Sequence, residues 1–165
     1  MARNLFRFDD ATAVADWRAI DDRVMGGMSR SRLRHDRAGY AVFEGEVSLQ
    51  RNGGFASVRS PAGALGCPGA THCATEVRGD GRRYKLSLFI DDTSDALSYQ
   101  AAFMPDANAW STLRLPIDGF RATFRGRDVP EAPALEAARI RQVGLVIADR
   151  QAGAFRLDIR TIGLD

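Results

Sequence analysis

The sequence is poor in the side chains on which many catalytic sites depend. It has two cysteines and two histidines in 165 residues, and its one lysine is Lys85. Nucleophilic hydrolysis needs a serine or cysteine beside a base, which is most often histidine. Because His72 and Cys73 are neighbours on a predicted strand, their side chains point to opposite faces and cannot easily form a hydrogen bond. With His35 expected at the solvated surface, we predict no enzyme activity and no catalytic residue.

Metal and cofactor motifs are equally scarce. The spacing of Cys67 and Cys73 fits structural zinc poorly, and we expect both to be free thiols. Neither a phosphate-binding loop nor a dinucleotide fingerprint is present. The pairs Asp21-Asp22 and Asp91-Asp92 lack the ligand spacing of a calcium loop, and adjacent carboxylates seldom face one another across a cleft as in a glycosidase. We therefore predict no metal and no cofactor.

Neither sign of charge dominates, because 23 basic residues nearly cancel 21 acidic ones. Nucleic acid attracts clustered basic charge, so no nucleic-acid partner is expected. No run approaches the roughly 20 apolar residues of a membrane span, and the first residues lack the pattern of a secretory signal. These features predict no transmembrane segment and a cytoplasmic location. The length predicts a single domain over residues 1–165.

Apolar and polar residues mostly alternate with a period of two, as in half-buried strands. The clearest strands are Tyr84–Ile90 and Phe155–Arg160. The residues predicted for the core are Leu86, Leu88, Ile90, Leu145, Ile147, Phe155, Leu157 and Ile159. Further strands are predicted at Asn4–Phe8, Ser29–His35, Tyr40–Leu49, Phe55–Ser60, Cys73–Arg78, Ser98–Met104, Trp110–Leu115, Phe120–Phe124 and Arg141–Ala148.

Turn residues separate these strands, and Gly79–Gly81 is predicted to be a hairpin turn in which glycines adopt positive φ. Only Glu131–Arg139 favours a helix, and Ala11–Ile20 adds a helical turn. The pattern predicts an antiparallel sandwich or barrel of about eight to ten strands with one or two short helices.

One connecting segment is unusual. Trp17–Ser31 combines charge, methionines and a double glycine, which cost stability unless the loop packs over the core or contacts a partner. The segments Arg51–Phe55 and Phe124–Arg127 place an aromatic ring beside glycine and arginine, which suits polar ligands, protein surfaces and turns alike. Both a structural and a binding role are consistent with these residues.

Together these segments resemble the complex I intermediate-associated protein 30 family, the NADH:ubiquinone oxidoreductase assembly factors and their bacterial relatives. The resemblance covers nearly the whole chain and lies in Trp17, Asp21–Ser29, Gly54–Arg59, Gly79–Tyr84, Phe120–Arg127 and Gly153–Ile159. It implies an all-β fold, an antiparallel jelly-roll β-sandwich of the galactose-binding-domain-like type. It also implies the non-enzymatic assembly or scaffolding role that eukaryotic members have on an intermediate of the respiratory complex.

The resulting hypothesis is a non-catalytic protein-binding module, an assembly factor or chaperone-like scaffold for a larger, respiratory complex. The alternative is a module that binds carbohydrate or another polar small ligand, with Trp110 or Phe55 as an aromatic platform; a hidden enzyme is the third hypothesis. The residues expected to gather in one region, as a binding site or a structural network, are Asp22, Arg23, Gly26, Gly27, Arg59, Arg82, Tyr84, Phe124 and Arg125. Further candidate binding residues are Met25, Ser29, Phe55, Trp110 and Arg127.

Overall fold

Two antiparallel sheets pack face to face in the computed structural model, which describes residues 3–90, 97–124 and 126–165, without the side chains of Val24, Met25 and Asn52. The strands are β1 (Arg3–Arg7), β2 (Arg18–Ala19), β3 (Arg30–Asp36), β4 (Tyr40–Val47), β5 (Ala56–Arg59), β6 (His72–Arg78), β7 (Tyr84–Ile90), β8 (Leu97–Phe103), β9 (Trp110–Pro116), β10 (Arg121–Phe124), β11 (Arg127–Asp128), β12 (Ile140–Ile147) and β13 (Gly153–Leu164). Short 3₁₀ helices lie at Ala11–Val14, Asp22–Met25, Gln50–Asn52, Ile117–Gly119 and Ala137–Arg139.

The order of strands in the first sheet is β3-β4-β13-β6-β9, and β1 also pairs with β13. The order in the second sheet is β11-β10-β8-β7-β12-β5-β2. Neighbours in both sheets run antiparallel. The predicted antiparallel sandwich is therefore confirmed. In the described part of the chain, no helix is long and apolar enough to cross a membrane.

The core lies between the inner faces of the two sheets. All eight residues predicted for it are at most 5% exposed. Aromatic rings from both sheets meet there, since Phe43 packs edge-on against Phe155 at 4.9 Å and against Tyr84 at 6.2 Å between ring centroids. Alternation therefore identified the buried face correctly in the strands where it was clearest.

The predicted helix over Glu131–Arg139 is wrong. Only Ala137–Arg139 forms a 3₁₀ turn. Pro133 lacks the N–H that a helix requires and disfavours helical geometry at the preceding residue. The segment is fixed instead by tertiary contacts, because Tyr99 donates a hydrogen bond to the Pro133 carbonyl at 2.6 Å and Ala137 is buried.

The predicted hairpin turn at Gly79–Gly81 is also wrong, although Gly81 does adopt a positive φ of 87°. The strands on either side, β6 and β7, belong to different sheets, so the segment carries the chain across the sandwich. Gly79 is needed for a close approach, since a Cβ there would lie 2.5 Å from the Pro105 ring.

The structure has more strands and short helices than the sequence predicted. The described residues form thirteen strands and five 3₁₀ helices. Two of the strands, β2 and β11, have two residues each and carry no alternation that a sequence pattern can reveal. The helical turn expected within Ala11–Ile20 is confirmed at Ala11–Val14.

We expect Gly45→Ala to destabilise the protein, because a Cβ at this position would overlap the backbone oxygen of Arg30 on β3. Overpacking of this kind costs about 2–3 kcal/mol. Gly63→Ala is the matched control, since nothing lies within 4 Å of its added methyl group. Urea unfolding measures both variants, and equal midpoints would contradict the close packing of β3 on β4.

Candidate functional site

The Asp22 carboxylate lies at the centre of a buried hydrogen-bond network. The residue is 1% exposed. Its Oδ1 accepts from the Ser29 amide at 2.9 Å, and its Oδ2 accepts from the Ser29 hydroxyl at 2.5 Å. Oδ2 also accepts from the amides of Gly54 at 2.7 Å and Phe55 at 3.3 Å. A side chain held in this way is not available to a ligand, so the geometry assigns Asp22 and Ser29 to the structural network, not to an exposed binding surface.

Asp21 makes an equivalent set of bonds beside it. The residue is 7% exposed. Its carboxylate accepts from the Ser31 amide at 3.0 Å, the Ser31 hydroxyl at 2.6 Å and the Ser57 amide at 3.0 Å. The two carboxylates thereby join the Trp17–Ser31 segment to the start of β3 and to β5. We call the set that makes these bonds the carboxylate clasp: Asp21, Asp22, Ser29, Ser31, Gly54, Phe55 and Ser57.

Lack of space beside the Asp22 carboxylate explains one glycine in each of the two double glycines, Gly27 and Gly53. A Cβ at Gly27 would lie 2.5 Å from the Asp22 Oδ1, and one at Gly53 would lie 2.7 Å from its Oδ2. Gly26 ends the Asp22–Met25 turn with a φ of 88°. Of the other predicted site residues in this loop, Arg23 is exposed, and the side chain of Met25 lies outside the described residues.

The clasp also determines the charge state of Asp22. Burial acts to raise the pKa of the carboxyl, but the hydrogen bonds from Ser29, Gly54 and Phe55 together outweigh it. The pKa of Asp22 is therefore held below its ordinary value of 3.8. The ionised carboxylate is the form that the surrounding donors stabilise.

Arg82 and Tyr84 belong to a second structural network. The Tyr84 hydroxyl donates to the Asp80 carboxylate at 3.0 Å, which also accepts from the Arg156 amide at 2.8 Å. Burial first, and then the charge of Asp80, raise the pKa of Tyr84. Arg82 donates to the Gln151 carbonyl at 3.1 Å. Since Tyr84 is 1% exposed, it supports the fold and is not part of an accessible surface.

Trp110 lies on the first sheet, on its outer face. The guanidinium of Arg160 lies 3.9 Å from the ring centroid and that of Arg78 lies 4.8 Å away. Arg78 also forms an ion pair with Asp158 at 2.7 Å and donates to the Tyr40 hydroxyl at 3.0 Å. The Trp110 ring is thus covered by cations and is not an open platform.

The remaining predicted residues lie on the second sheet, far apart. Phe124 and Arg127 pair with each other on β10 and β11, at one edge. Arg59 lies on β5, four strands from β10. At about 4.8 Å between strands, this separation is roughly 19 Å. Arg125 lies outside the described residues. The structure thus brings Asp22, Gly26 and Gly27 together in one loop but separates Arg59 from Phe124, so the predicted residues do not all lie in one region.

Six strands of the second sheet bring polar residues into one line on its outer face. Directly opposite residues of antiparallel strands point to the same face. The register pairs each residue of this line with the next, from β2 through β5, β12, β7 and β8 to β10. We call this line the polar row: Arg18, Arg59, Gly144, Ser87, Gln100 and Arg121. Five strand spacings make it about 24 Å long.

The middle of the polar row is closely packed, and its two ends carry arginines. A Cβ at Gly144 would meet the Val58 carbonyl oxygen at 3.3 Å, the Ser87 Cβ at 3.4 Å and the Phe89 ring at 3.5 Å, so little space is left above the glycine. Gln100 donates to the Ser87 hydroxyl at 3.2 Å. Next to Gln100 and Arg121 lies a groove of about 350 Å³. Ser87 is only 1% exposed and Gly144 is buried, so the exposed groups of the row lie towards its two ends.

Sequence reasoning found only Arg59 among the residues of the polar row. Ser87 pairs with Gln100 on the outer face but is only 1% exposed. What the sequence did not reveal is the register that sets Arg18 opposite Arg59 and Arg121 opposite Gln100. A short edge strand such as β2 gives no periodic signal.

The histidines and cysteines are placed as structural residues. Cys73 is 0% exposed, and burial, followed by the charge of Asp165, raises its pKa to about 12. It is therefore a neutral thiol, and both cysteines are free. His72 points to the opposite face, as predicted, and its Nδ1 lies 2.9 Å from the Thr71 hydroxyl. His35 is half-buried, with its Nε2 enclosed, so its prediction as a solvated residue is wrong.

Comparison with known protein families gives one match to most of the chain. The profile of the complex I intermediate-associated protein 30 family matches residues 6–159. An uncharacterised protein of Schizosaccharomyces pombe is 30% identical over 89% of this chain and 76% of its own length. The probable mitochondrial complex I intermediate-associated protein 30 of Caenorhabditis elegans is 27% identical over 99% of this chain and 54% of its own length. The chain thus spans about half of that mitochondrial relative.

Solved structures of several carbohydrate-binding modules share this architecture. A family 11 module from Clostridium thermocellum, in complex with a mixed-linked tetrasaccharide, superimposes with a TM-score of 0.72 at 14% identity, over 99% of this chain and 94% of that module. A family 29 module variant gives a TM-score of 0.59 at 10% identity, over 99% of this chain and 91% of that module. These likenesses confirm the jelly-roll, galactose-binding-like fold.

We expect Asp22→Ala to lower the free energy of unfolding by about 3–5 kcal/mol, because it leaves buried donors of the carboxylate clasp without an acceptor. Asp16→Ala is the control, since Asp16 is exposed and has no partner within the described ranges. Chemical denaturation measures both. A loss below about 1 kcal/mol for Asp22→Ala would show that the clasp does not hold the fold.

The lowered pKa of Asp22 also predicts a pH dependence. A carboxyl whose pKa is lower in the folded state contributes stability above its unfolded pKa, and loses it as the pH falls through the folded value. The stability difference between the wild type and Asp22→Asn should therefore be largest above about pH 5 and should shrink towards about pH 2. Denaturation at a series of pH values tests this, and a difference that grows on acidification would contradict it.

Proposed function

The chain belongs to the complex I intermediate-associated protein 30 family, and on that premise we propose that it is a non-catalytic module that binds a protein partner during assembly of a larger complex. The observation that carries this proposal is the extent of the family match, which includes both sheets of the sandwich. In this proposal the larger complex is a respiratory one, as the names of the mitochondrial relatives suggest. The cytoplasmic location stays a prediction.

In this proposal the partner docks on the polar row and not on the Asp21–Ser29 loop. Two of the loop's polar side chains, Asp22 and Ser29, are buried in the carboxylate clasp and are at most 1% exposed. The polar row carries the side chains of Arg18 and Arg59 at one end and those of Gln100 and Arg121 at the other. Arginine is enriched at protein interfaces because its planar guanidinium forms several directed hydrogen bonds.

A second candidate function, carbohydrate binding, is favoured by a polar pocket of about 360 Å³ on the first sheet. Arg78, Arg156, Asp158 and Asn108 line it, and such groups can hydrogen-bond to sugar hydroxyls. Calorimetry with a mixed-linked glucan tetrasaccharide tests this candidate. Measurable binding by the wild type that Asn108→Ala weakens would support it, and no heat of binding would reject it.

Deletion of the gene in its source organism tests the proposed function. We expect the respiratory NADH:ubiquinone oxidoreductase to accumulate as a smaller subcomplex on native gels, and the wild-type gene to restore the full-size complex. Catalytic subunits made at normal levels serve as the control. A full-size complex at normal abundance in the deletion strain would contradict the assembly role.

A further inference from the structure

The terminal strand β9 of the first sheet has an open edge. The two sheets end in β3, β9, β2 and β11, and β2 and β11 have two residues each. The strand β3 lies against β2, β5 and the Ala11–Val14 turn, and its Ser31 amide bonds to Asp21. By contrast, β9 has seven residues and, within the described ranges, pairs only with β6. Of these four terminal strands, β9 is therefore the one that a further strand can join over its full length.

Alternate residues of β9 direct their backbone groups to opposite edges, as in any antiparallel strand. The Ile117 amide donates to the Thr71 carbonyl, just beyond the ends of β9 and β6. The odd-numbered residues of β9 therefore bond to β6, and the even-numbered residues direct their amide and carbonyl groups to the open edge. The outward amides belong to Trp110, Thr112 and Arg114, and Pro116 has no amide to offer. Acceptors at the spacing of another extended strand match these donors.

The inward-facing side chains of β9 are only partly covered. Leu113 and Leu115 are half-buried at the margin of the core. The Ser111 hydroxyl is enclosed but has no hydrogen-bond partner among the described residues. Many proteins block an exposed edge with an inward-pointing charge, and these three positions carry none. A strand added at this edge would extend the inner face and bury Leu113 more fully.

A second copy of β9 matches this edge. In an antiparallel pair centred on Leu113, that leucine lies opposite its own copy, and Thr112 lies opposite Arg114. Because Thr112 and Arg114 both direct their backbone groups outward, each such pair can exchange both of its hydrogen bonds. Trp110 then lies opposite Pro116, so the residue without an amide lies at the end of the pairing and not in its middle.

Charge also favours this register. Like charges directly opposite one another destabilise a sheet, and a pair centred on Arg114 would place two guanidinium groups in that position. In the pair centred on Leu113, each Arg114 faces the neutral Thr112. The Asp165 carboxylate lies 2.9 Å from the Arg114 guanidinium within the same chain and partly offsets its charge. The segment is thus complementary to itself.

We propose that two copies of this chain form a symmetric dimer through antiparallel pairing of their β9 strands about Leu113. The first sheets of the two copies then become one continuous sheet. A pair of seven-residue edges is smaller than a standard interface, which buries about 1,200 Å² or more. We therefore expect monomer and dimer to exchange with a Kd of about 10–100 μM. The dimer forms independently of the assembly partner.

Sedimentation velocity of the whole chain at about 1–300 μM tests the dimer. The wild type should shift from monomer to dimer across this range. Thr112→Pro removes an outward amide and leaves the bonds to β6, so it should raise the Kd about tenfold or more. Thr112→Ala is the matched control, because it loses the same side chain and keeps the amide. Its Kd should stay within about twofold of the wild type.

Disulfide crosslinking tests the register and does not depend on the proline variant. Leu113→Cys should give a covalent dimer after mild oxidation, because its two copies lie opposite one another with Cα atoms about 4.5–5.5 Å apart. Ser111→Cys is the control on the same face, since its two copies would lie about 13 Å apart. The wild type, with the free thiols Cys67 and Cys73, measures the background.

A dimer that is weakened in Thr112→Pro but not in Thr112→Ala, with crosslinking confined to Leu113→Cys, would support the proposal. A monomer at every concentration would overturn it and leave the edge to a strand of another protein. A dimer that persists in folded Thr112→Pro would assign the contact to another surface, and equal crosslinking of the two cysteine variants would contradict the register. Either result would overturn the proposal. If Thr112→Pro does not fold, the crosslinking result decides.

Discussion

Two buried carboxylates hold the loop end of this sandwich together. Asp21 and Asp22 accept hydrogen bonds from Ser29 and Ser31 before and on β3, and from Gly54, Phe55 and Ser57 before and on β5. Because β3 and β5 belong to different sheets, these bonds tie the two sheets to one loop. Buried charge is costly unless it is fully hydrogen-bonded, so this arrangement requires each of its donors.

The residues that make the loop look like a binding site are explained by this requirement. Gly27 and Gly53 leave the space that Asp22 occupies, and Ser29 supplies two of its donors. A motif of charged, small and hydroxyl residues can therefore reflect how a fold is closed, without contact to any partner. The surface chemistry lies elsewhere, on strands whose individual residues are ordinary.

The sequence predicted the sandwich better than it predicted the site. Alternation within one strand is a local property, and it located the core residues of β7, β12 and β13 correctly. The helix at Glu131–Arg139 failed because Pro133 and contacts to Tyr99 outweigh local propensity. The polar row depends on the pairing of distant strands, such as Arg18 with Arg59 and Gln100 with Arg121, which no single segment encodes. The motifs shared with the family mark residues that the fold requires, such as Asp22 and Ser29, and these residues are buried.

Site-specific photo-crosslinking tests most directly whether the partner docks on the second sheet and not on the clasp loop. A benzophenone amino acid at Ala102, exposed beside the polar row, should crosslink to a partner in the assembling complex. The same probe at Met28, which is 49% exposed on the clasp loop, Asp21–Ser29, should not. Crosslinking from Met28 with none from Ala102 would contradict the account and return the clasp loop to the role of docking surface.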